Sequence, residues 1–550
     1  MRNLKQCLWA TAALISCACS AGIESDNLAS NQAAVTACVN PSAGMVIRAN
    51  TTLCAGTFTM NIPAGSAAIT VGADNVAVTC SGTTIQSAAP VGPGVSPNVG
   101  FSINGHTGVT LLGCAAHNFQ YGAVVQNSSS ITLDSVHFDD NYTDPNADWV
   151  QDSVQGGGVR LENVTSSIVR NSSFERNWNG IELRNSSGIT VNNNVADHCT
   201  NWGALLAGSN NNTVTNCDFS WAYRGGLSYP TNWYGWDTKD SASIVLDGGS
   251  SGNLIQNNNA KYGGDGIFVR AVIDGLCANN NRIIGNDTSY SPHNGIESWC
   301  DNNVFNNNTS TNCDYGIWLG ASDNLTVIGN TANNNMTDGI SIQCGSDRHA
   351  LIQDNKIKNN ARAGLFLVGE DYQNSNPPVQ MWWDTGLWNS SHILVQRNTF
   401  SGNGSFDVYT AWTRDLILAS NSLTASKVVA EPGNTAYIYT LGNFSSATGR
   451  TPPTAVLANP GSTVKVNVPI TFDASGSKLS SSGGTLAFRW LVQAAGETFV
   501  PGQLPPVVLG GASTSKPRVT FTQPGTYDVD VTVTDGLLGA LATLTVTAVP

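Results

Sequence analysis

Short apolar strands recur along the middle of the chain at nearly constant intervals. Nine of them open on a small residue followed by alternating apolar positions, and they begin at Gly158, Gly180, Gly203, Ser243, Gly266, Gly295, Gly316, Gly339 and Gly364. The successive intervals are 22, 23, 40, 23, 29, 21, 23 and 25 residues. A period in the low twenties, combined with an alternation of two, is typical of a parallel β-helix, in which each turn buries its apolar face only by stacking on its neighbours.

A second short strand in each repeat ends in asparagine. Examples are the segments Ile189-Thr190-Val191-Asn192-Asn193 and Leu351-Ile352-Gln353-Asp354-Asn355. Asparagine tolerates the left-handed backbone conformation of sharp turns, and stacked amides can hydrogen-bond along the axis of such a helix. The pattern therefore predicts asparagine ladders at the turns, which also explain the many Asn-x-Ser/Thr triplets.

The pattern changes towards both ends of the repeat. Residues 30–100 are rich in Ala, Gly and Val, and they predict an N-terminal cap with the first rungs, because an uncovered terminal rung would present unpaired strand edges. From Thr451 the asparagine-rich period stops, and strand-like segments bounded by proline follow. Residues 451–550 are therefore predicted to form a separate β-sandwich.

The repeated strands resemble the right-handed β-helix proteins, a group that includes pectate lyases, polygalacturonases, alginate C5-epimerases and NosD-like carbohydrate-binding proteins. The resemblance covers roughly residues 60–445 and implies a catalytic domain over residues 101–445. It implies a polysaccharide as the partner of this domain. The expected fold is all-β, a right-handed parallel β-helix with a C-terminal immunoglobulin-like β-sandwich.

The C-terminal segments resemble a PKD domain, which is an immunoglobulin-like module. The resemblance rests on three motifs in the right order, at residues 469–477, 488–490 and 524–535. The family's usual Asp-Phe-Gly-Asp-Gly run is missing after Trp490, where Leu-Val-Gln follows instead. Such modules are commonly appended to secreted enzymes, and we expect this one to be a passive spacer beyond the end of the helix.

The first residues are typical of an export signal. Two basic residues precede an apolar run at residues 8–15, and small residues follow. The tetrapeptide Leu-Ile-Ser-Cys that ends at Cys17 resembles the lipobox of bacterial lipoproteins, which implies a lipid anchor; cleavage of an ordinary signal peptide near Ala21 is the alternative. Residues 1–21 are interpreted as a lipoprotein-type signal segment. The protein is expected to be exported, as an outer-membrane or cell-surface lipoprotein or as a secreted protein.

Three of the 13 cysteines lie in this leader, which leaves ten. An even number in an exported chain favours disulfide bonds, although spacing alone does not fix their connectivity. No Cys-x-x-Cys pair occurs, so structural zinc is not expected. The candidate pairs are Cys38–Cys54, Cys80–Cys114, Cys199–Cys217, Cys277–Cys300 and Cys313–Cys344.

The charge balance of the chain excludes one class of partner. The formal net charge is −13 and the sequence pI is about 4.8. Phosphate binding needs a basic face that this composition does not supply, so no nucleic-acid partner is expected. Nothing after the leader is long and apolar enough to span a membrane. We expect a monomer.

Two segments that interrupt the period are rich in aromatic residues, at positions 221–240 and 369–391. They flank the same sheet some five rungs apart, which at about 4.8 Å per rung is on the order of 25 Å and suits several sugar units. Exposed aromatic faces stack on pyranose rings. We therefore expect substrate contacts from these loops and from two tryptophans on the strands: Trp221, Tyr229, Trp233, Tyr234, Trp236, Trp299, Trp318, Trp382 and Trp383.

Ionisable residues gather on the rungs between these loops. Aligned by the small residue of each rung, they fall on one outward face of three consecutive rungs, within roughly 5–10 Å of one another. Crowded carboxylates in a partly dry cleft have pKa values that are pushed apart, which acid–base catalysis needs. Glu182 and Arg184, two rungs away, are interpreted as peripheral. The catalytic candidates are Asp237 of the first loop and, on the rungs, Asp247, Asp265, Arg270, His293 and Glu297.

These features predict a polysaccharide-degrading enzyme, and the predominance of carboxylates favours an endo-acting glycoside hydrolase. A polysaccharide lyase or uronate C5-epimerase would instead need a base near C5 and a cation, for which Arg270, His293 or a calcium ion held by the aspartates could serve. The Asp-Pro-His motif of alginate epimerases and the Asn-Thr-Asp motif of polygalacturonases are absent, and residues 290–293 match the former only in part. A non-catalytic carbohydrate-binding surface protein is the third alternative. No cofactor is required in the favoured interpretation.

Overall fold

The computed structural model describes residues 38–89, 91–92, 98–143, 156–224, 241–271, 275–343, 348–369, 390–431, 436–441, 450–480, 484–495 and 507–550. The chain divides into two units, Met1–Ala37 and Cys38–Pro550, and every described residue belongs to the second. The leader with Cys17 therefore lies outside the described residues. Within the described ranges, no helix is long and apolar enough to cross a membrane.

Two long parallel sheets run along most of the chain, and each has 15 strands among the described residues. The strands of the first sheet, here called sheet A, are Met45–Ile47, Ala67–Val71, Val99–Asn104, Tyr121–Gln126, Gly157–Glu162, Asn179–Arg184, Trp202–Ala207, Ala242–Asp247, Asp265–Val269, Asn294–Ser298, Tyr315–Leu319, Asp338–Ile342, Ala363–Val368, Phe406–Ala411 and Val428–Ala430. Those of the second, sheet B, are Thr51–Thr52, Ala77–Thr79, Thr110–Leu112, Thr132–Asp134, Ile168–Arg170, Thr190–Asn192, Thr213–Thr215, Leu254–Gln256, Arg282–Ile284, Val304–Asn306, Thr326–Ile328, Leu351–Gln353, Ser390–Gln396, Thr413–Ala419 and Ala436–Leu441.

Consecutive strands of the chain alternate between these sheets, so each pair of strands forms one turn of a helix of strands. Two short three-stranded sheets complete some of the turns, one from Gly56–Met60, Thr83–Ser87 and Ala115–His117, the other from Thr331–Asn333, Lys356–Lys358 and Thr399–Ser401. A short 3-10 helix spans Ala425–Lys427. The predicted right-handed parallel β-helix is confirmed.

The apolar core follows from the alternation within each strand. The residue after each rung glycine points inward and pairs with its equivalent one rung away, as in Ile244 with Ile267, and Ile267 with Ile296. These side chains are fully buried and belong to one continuous apolar cluster. The outward residues of sheet A therefore also line up from rung to rung, in the register that the spacing predicts.

Buried asparagines connect the turns, as the sequence predicts. One corner carries a ladder of four buried asparagines: Asn258, Asn286, Asn308 and Asn330. The backbone N–H of each asparagine donates to the side-chain oxygen of the asparagine on the next rung, and that of Asn330 donates to Asn355. The preceding residue often has a left-handed backbone, as at Asn257 with φ 54°. The ladder satisfies backbone groups that the sharp corner leaves without a strand partner.

We predict that Asn308→Ala lowers the free energy of unfolding by roughly 2–5 kcal/mol, because two buried backbone groups lose their partners at about 1–3 kcal/mol each. These groups are the N–H of Asn286 and the carbonyl of Ile283, both 2.9 Å from the Asn308 amide. Chemical denaturation measures the loss. The neighbouring Asn306→Ala, on the outward side of the strand Val304–Asn306, is the control and should change stability by no more than about 0.5 kcal/mol. Equal effects of the two substitutions would contradict the ladder's role.

Three of the candidate disulfides are confirmed, namely Cys38–Cys54, Cys80–Cys114 and Cys277–Cys300. The pair Cys199–Cys217 is wrong, because both are free buried thiols at different corners. Cys217 occupies an asparagine position of the ladder, 3.4 Å from the N–H of Asn194, while the Cys199 thiol contacts the carbonyl of Phe174. Cys313 is also a free thiol in the described part of the chain, and Cys344 lies outside the described residues.

The C-terminal residues form a sandwich of two sheets, which confirms the predicted fold class. One sheet contains Thr463–Lys465, Gly539–Val549, Gly525–Thr534 and Ala487–Ala494, and the other contains Ile470–Thr471, Arg518–Phe521 and Val507–Gly510. Trp490, Phe472, Phe521 and Tyr527 are buried in a core of their own.

The sandwich packs against the side of sheet B, whereas the sequence suggested a spacer beyond the helix end. Leu541 of the sandwich packs against a buried patch of sheet B that includes Leu394 and Ile417. Ion pairs surround the patch and join the two domains: Arg348–Asp528, His349–Asp530 and Arg489–Asp415. The difference arises because outward residues of sheet B, which look like ordinary surface residues in the sequence, complement this one face of the sandwich.

Candidate active site on sheet A

The outward side chains of sheet A line up in one continuous column along the helix, and most of them are buried. The strand register pairs neighbouring members of the following column: Arg160, Glu182, Leu205, Val245, Phe268, Glu297, Trp318, Ser341 and Phe366. Its middle is apolar, and ionisable residues lie on either side. Two polar centres therefore share one face, separated by an apolar stretch.

The structure brings Asp265, His293 and Glu297 together. Nδ1 of His293 lies 3.0 Å from Oδ1 of Asp265 and 3.6 Å from Oε2 of Glu297. Asp265 opens one strand, Glu297 is in the strand of the next rung, and His293 directly precedes that strand. The side chains of Asp265 and Glu297 are 0% and 7% exposed and that of His293 is 15% exposed, so solvent reaches the cluster mainly at the imidazole. Two carboxylates flanking one imidazole can hold and move protons in a confined space.

Asn294 and Trp299 hold these carboxylates in place. The Asn294 amide donates to Oε2 of Glu297, and the Trp299 indole N–H donates to Oε1 at 2.5 Å. The backbone N–H of Asn294 donates to Oδ1 of Asp265 at 2.9 Å. Oδ2 of Asp265 and Oδ1 of Asn294 are buried and have no hydrogen-bond partner among the described residues. Sequence reasoning missed Asn294, although its place three residues before an outward glutamate was visible.

Arg270 and Asp247 form a buried ion pair beside this cluster. Nε of Arg270 is 2.6 Å from Oδ2 of Asp247, and the two side chains are 4% and 0% exposed. The guanidinium also lies over the rings of Trp202 and Phe268, at 5.2 and 5.4 Å from their centres. The charge of Arg270 is thus directed at Asp247 and at aromatic faces.

Asp265, His293 and Glu297 could also hold a cation. Each offers one ligand atom, and these atoms all lie within 4.8 Å of one another. An imidazole nitrogen among carboxylate oxygens suits a transition metal better than calcium, which prefers oxygen ligands. The calcium site that the sequence suggested, held by aspartates, stays a prediction.

Trp221 belongs to a stack of exposed aromatic rings at a corner next to the cluster. His198, Trp221, Tyr262 and Tyr290 stack in sequence, with ring centres 5.8, 4.1 and 5.0 Å apart and interplanar angles of 12–14°. Both faces of the Trp221 ring are therefore covered, and the 48% of Trp221 that is exposed offers mainly an edge. Stacking of Trp221 on a sugar ring stays a prediction, and this geometry makes such stacking less favourable.

The other substrate-binding predictions divide into two groups. Trp299 and Trp318 lie on adjacent rungs with ring centres 4.6 Å apart, directly beside Glu297. The remaining substrate-binding candidates lie outside the described residues, namely Tyr229, Trp233, Tyr234, Trp236, Trp382 and Trp383, and so does the catalytic candidate Asp237.

Glu182 forms a second carboxylate centre four rungs from Glu297. It is fully buried and accepts hydrogen bonds from Asn179, Tyr121 and Arg184 at 2.6, 3.2 and 3.0 Å. Burial raises the pKa of the Tyr121 hydroxyl well above its usual value, and the charge of Glu182 adds to the effect. Glu182 is a packed and fully engaged residue, unlike the peripheral position that the sequence suggested.

Comparison with known proteins supports the fold. The family model described as "Right handed beta helix region" matches residues 67–232 and 236–376, and the PKD domain model matches residues 454–548. No curated protein matches the chain.

Similar solved structures include the A-module of a mannuronan C-5 epimerase from Azotobacter vinelandii, with 14% identity over 70% of this chain and 91% of that chain, at a TM-score of 0.32. A periplasmic alginate epimerase has 11% identity over 70% and 77%, at 0.33. Gene product 12 of bacteriophage phi29 has 14% identity over 72% and 52%, at 0.45. These values carry no conclusion about activity.

Proposed function

Because the chain belongs to the right-handed β-helix family, we propose that it is an extracytoplasmic polysaccharide-degrading enzyme, an endo-acting glycoside hydrolase. The observation that carries the proposal is the meeting of two carboxylates and an imidazole on the outward face of sheet A. Asp265, His293 and Glu297 form the reaction centre in this proposal, and His293 is the most exposed of the three.

The spacing of the carboxylates supports a retaining mechanism. The ligand atoms of Asp265 and Glu297 lie within 4.8 Å of each other. Retaining glycosidases place their two carboxyl groups about 5–5.5 Å apart, whereas inverting enzymes leave about 6.5–9.5 Å for a water molecule. The short spacing therefore favours direct attack on the sugar by one of the two carboxylates.

The hydrogen bonds suggest which carboxylate is the nucleophile and which is the general acid. Glu297 accepts two side-chain donors, which stabilise its ionised form, so it attacks the anomeric carbon. The glycosidic C–O bond breaks with its electron pair going to oxygen, which takes a proton from Oδ2 of Asp265. In the second step a water molecule attacks the anomeric carbon, gives its proton to Asp265 and displaces Glu297 as a carboxylate. His293 lies between the two, next to the single negative charge that they carry at each stage.

The lyase or epimerase alternative has weaker support from the site. A uronate carboxylate needs a neutralising cation, but the guanidinium of Arg270 is buried against Asp247. The imidazole of His293 faces two carboxylates of the protein itself. A uronate at this centre would bring a further negative group next to the ionised carboxylate.

The test is to incubate the purified full-length protein with a panel of plant, algal and bacterial polysaccharides. We expect new reducing ends without the ultraviolet absorbance of unsaturated uronates, and an NMR spectrum that shows retained anomeric configuration. Unsaturated products would establish a lyase instead, and a change of uronate configuration without chain cleavage an epimerase. Binding without any turnover would establish a carbohydrate-binding protein.

The location outside the cytoplasm has its own test. Three disulfides and the export-type leader support it. We predict that Cys17→Ser releases the protein from the membrane fraction, because the lipid would be attached to this thiol. Cell fractionation and immunoblotting measure the change, and Cys19→Ser is the matched control that should stay with the membranes. Unchanged fractionation of the Cys17 variant would show that the lipobox interpretation is wrong.

A further inference from the structure

Asn294 contacts every member of the proposed reaction centre. Its backbone N–H bonds to Asp265, its amide nitrogen donates to Glu297, and the same nitrogen lies 3.1 Å from Nδ1 of His293. The residue is 2% exposed. Asn294 therefore connects the three groups and cannot reorient without disturbing them.

The orientation of the Asn294 amide is fixed by its neighbour. If the amide were turned over, its oxygen would face the carboxylate of Glu297, and two acceptors would meet without a proton between them. The nitrogen must therefore face Glu297, which leaves Oδ1 as a buried acceptor without a partner in the described part of the protein. Buried polar groups are nearly always hydrogen-bonded, so an open one beside a reaction centre indicates a ligand.

The same rung motif occurs earlier in the helix with its acceptor filled. Asn179 and Glu182 stand in the same positions as Asn294 and Glu297, and the Asn179 amide likewise donates to its glutamate. There, however, Oδ1 of Asn179 accepts a hydrogen bond of 2.9 Å from the amide of Asn201. The protein itself thus satisfies the group that is open at Asn294, and among the described residues the acceptor without a partner there is Oδ1 of Asn201 instead.

The two motifs differ in the residue that stands at the position of this donor. Asn201 directly precedes Trp202, the strand partner of Asn179, and its counterpart in the later motif is Asp314, which directly precedes Tyr315, the strand partner of Asn294. An ionised carboxylate cannot donate a hydrogen bond. Asp314 accepts one from the Thr337 hydroxyl at 2.5 Å. The donor that Asn201 gives to Asn179 therefore has no counterpart at Asp314.

We propose that Oδ1 of Asn294 receives a hydroxyl or N–H donor of the sugar unit at the cleavage point, and that this unit is uncharged. The inference rests on the proposed function and names its substrate class. An acceptor beside two carboxylates selects a donor-bearing group and rejects a uronate carboxylate, which has only acceptors and adds negative charge. The net charge of −13 acts in the same direction.

The sharpest variant is Asp314→Asn, which copies Asn201 and supplies the missing donor. We expect its thermal stability to be unchanged or higher, because Asn can still accept from Thr337, while KM for the hydrolysed glycan rises about tenfold, the usual effect of one lost hydrogen bond. Asn294→Ala should raise KM similarly and lower kcat as well, because Glu297 also loses a donor. An Asp314→Asn protein with wild-type KM would overturn the inference.

The substrate class is tested with defined oligosaccharides. Neutral hexasaccharides (cello-, xylo- and manno-) and uronate hexasaccharides (galacturonate and mannuronate) are titrated calorimetrically into the Asp265→Asn protein. We expect binding of a neutral oligosaccharide that Asp314→Asn weakens, and none of a uronate. Uronate binding that Asp314→Asn leaves unchanged would overturn the inference.

Failure of the two proposals can be told apart. If the protein binds a neutral oligosaccharide, Asp314→Asn weakens this binding and the wild type shows no turnover, the hydrolase proposal is wrong and the inference about Asn294 stands. If the wild type turns over a polysaccharide and Asp314→Asn does not change this turnover, the inference about Asn294 is wrong and the hydrolase proposal stands. The same assays are repeated with a chelator, and the metal bound to the protein is measured. A cation bound by Asp265, His293 and Glu297 would overturn the inference.

Discussion

Glu297→Gln and Asp265→Asn are each expected to lower turnover of the identified polysaccharide by about 10²–10⁴-fold, because each removes one member of an acid–base pair. Both substitutions keep the size of the side chain. The glutamine introduced by the first can still accept from the Trp299 indole, but its amide nitrogen then faces the amide nitrogen of Asn294. The asparagine introduced by the second can still accept from the Asn294 backbone. Thermal stability should therefore stay close to that of the wild type for Asp265→Asn and fall for Glu297→Gln, while initial rates collapse in both, which a reducing-end assay and a melting curve measure together.

The control for this experiment must be chosen from the structure. Glu182→Gln, on the same face, is unsuitable because Glu182 is buried with three hydrogen-bond donors, and its loss would disturb folding. Asp287→Asn makes the same chemical change on another side of the neighbouring rungs, at a side chain that is 43% exposed. It should keep full activity. Wild-type rates in both Glu297→Gln and Asp265→Asn would show that neither residue takes part in the reaction.

Asp530→Asn is expected to cost roughly 3–5 kcal/mol of stability at mildly acidic pH, the usual result of breaking a buried ion pair from one side. Asp530 is fully buried and lies 2.9 Å from Nε2 of His349, which is 7% exposed. The substitution leaves the imidazolium at the junction of the two domains without its counter-charge. Asp473→Asn, in an exposed pair with Lys516 in the same sandwich, is the control and should change stability much less, because solvent screens that pair.

The junction should also respond to pH. His349 faces Asp530, Asp323, Arg348 and the ring of His392. Burial alone would lower the pKa of His349, but the hydrogen bond to Asp530 and the charges of Asp530 and Asp323 raise it above the usual 6.5. Burial would raise the pKa of Asp530, but the charge of His392 and the bond from His349 hold it below the usual 3.8.

The two shifts act at opposite ends of the pH scale. The histidine's contribution is fully present below pH 6.5 and is lost as pH rises through its raised pKa, and the aspartate's is present above pH 3.8 and is lost as pH falls through its lowered pKa. Unfolding curves from pH 4 to pH 9 should show the difference between wild type and His349→Gln shrinking on the alkaline side. A difference that is constant across this range would show that the pair does not titrate as inferred.

The sequence predicted those features that depend on periodicity. The alternation in each strand placed Ile267 inward and Glu297 outward, and the rung spacing brought Asp265, His293 and Glu297 to one place, because a stacked helix converts sequence period into spatial adjacency. Features that depend on a single exchange within the period were missed. Cys217 stands in an asparagine position of a ladder, and Asp314 stands where the earlier motif has the donor Asn201.

Contacts between distant segments were also beyond the sequence. His349 and Asp530 are 181 residues apart, and nothing in the local pattern of either segment marks it as an interface. The engagement of Glu182 has the same origin in part, because one of its three donors, Tyr121, is 61 residues away. Periodicity determines which face a residue occupies but not what covers that face.

The mixture of bonded and free cysteines sets an order of events during folding. The three disulfides close loops of only 16, 34 and 23 residues, so they can form within one or two turns. Burial raises the pKa values of the Cys199, Cys217 and Cys313 thiols to about 12, 11 and 12, which makes them poor nucleophiles once they are covered. In an oxidising compartment these thiols are protected only after their rungs have stacked. The rungs must therefore stack before these thiols are oxidised. Rapid oxidation during refolding should trap chains with mispaired disulfides, and slow oxidation should avoid them.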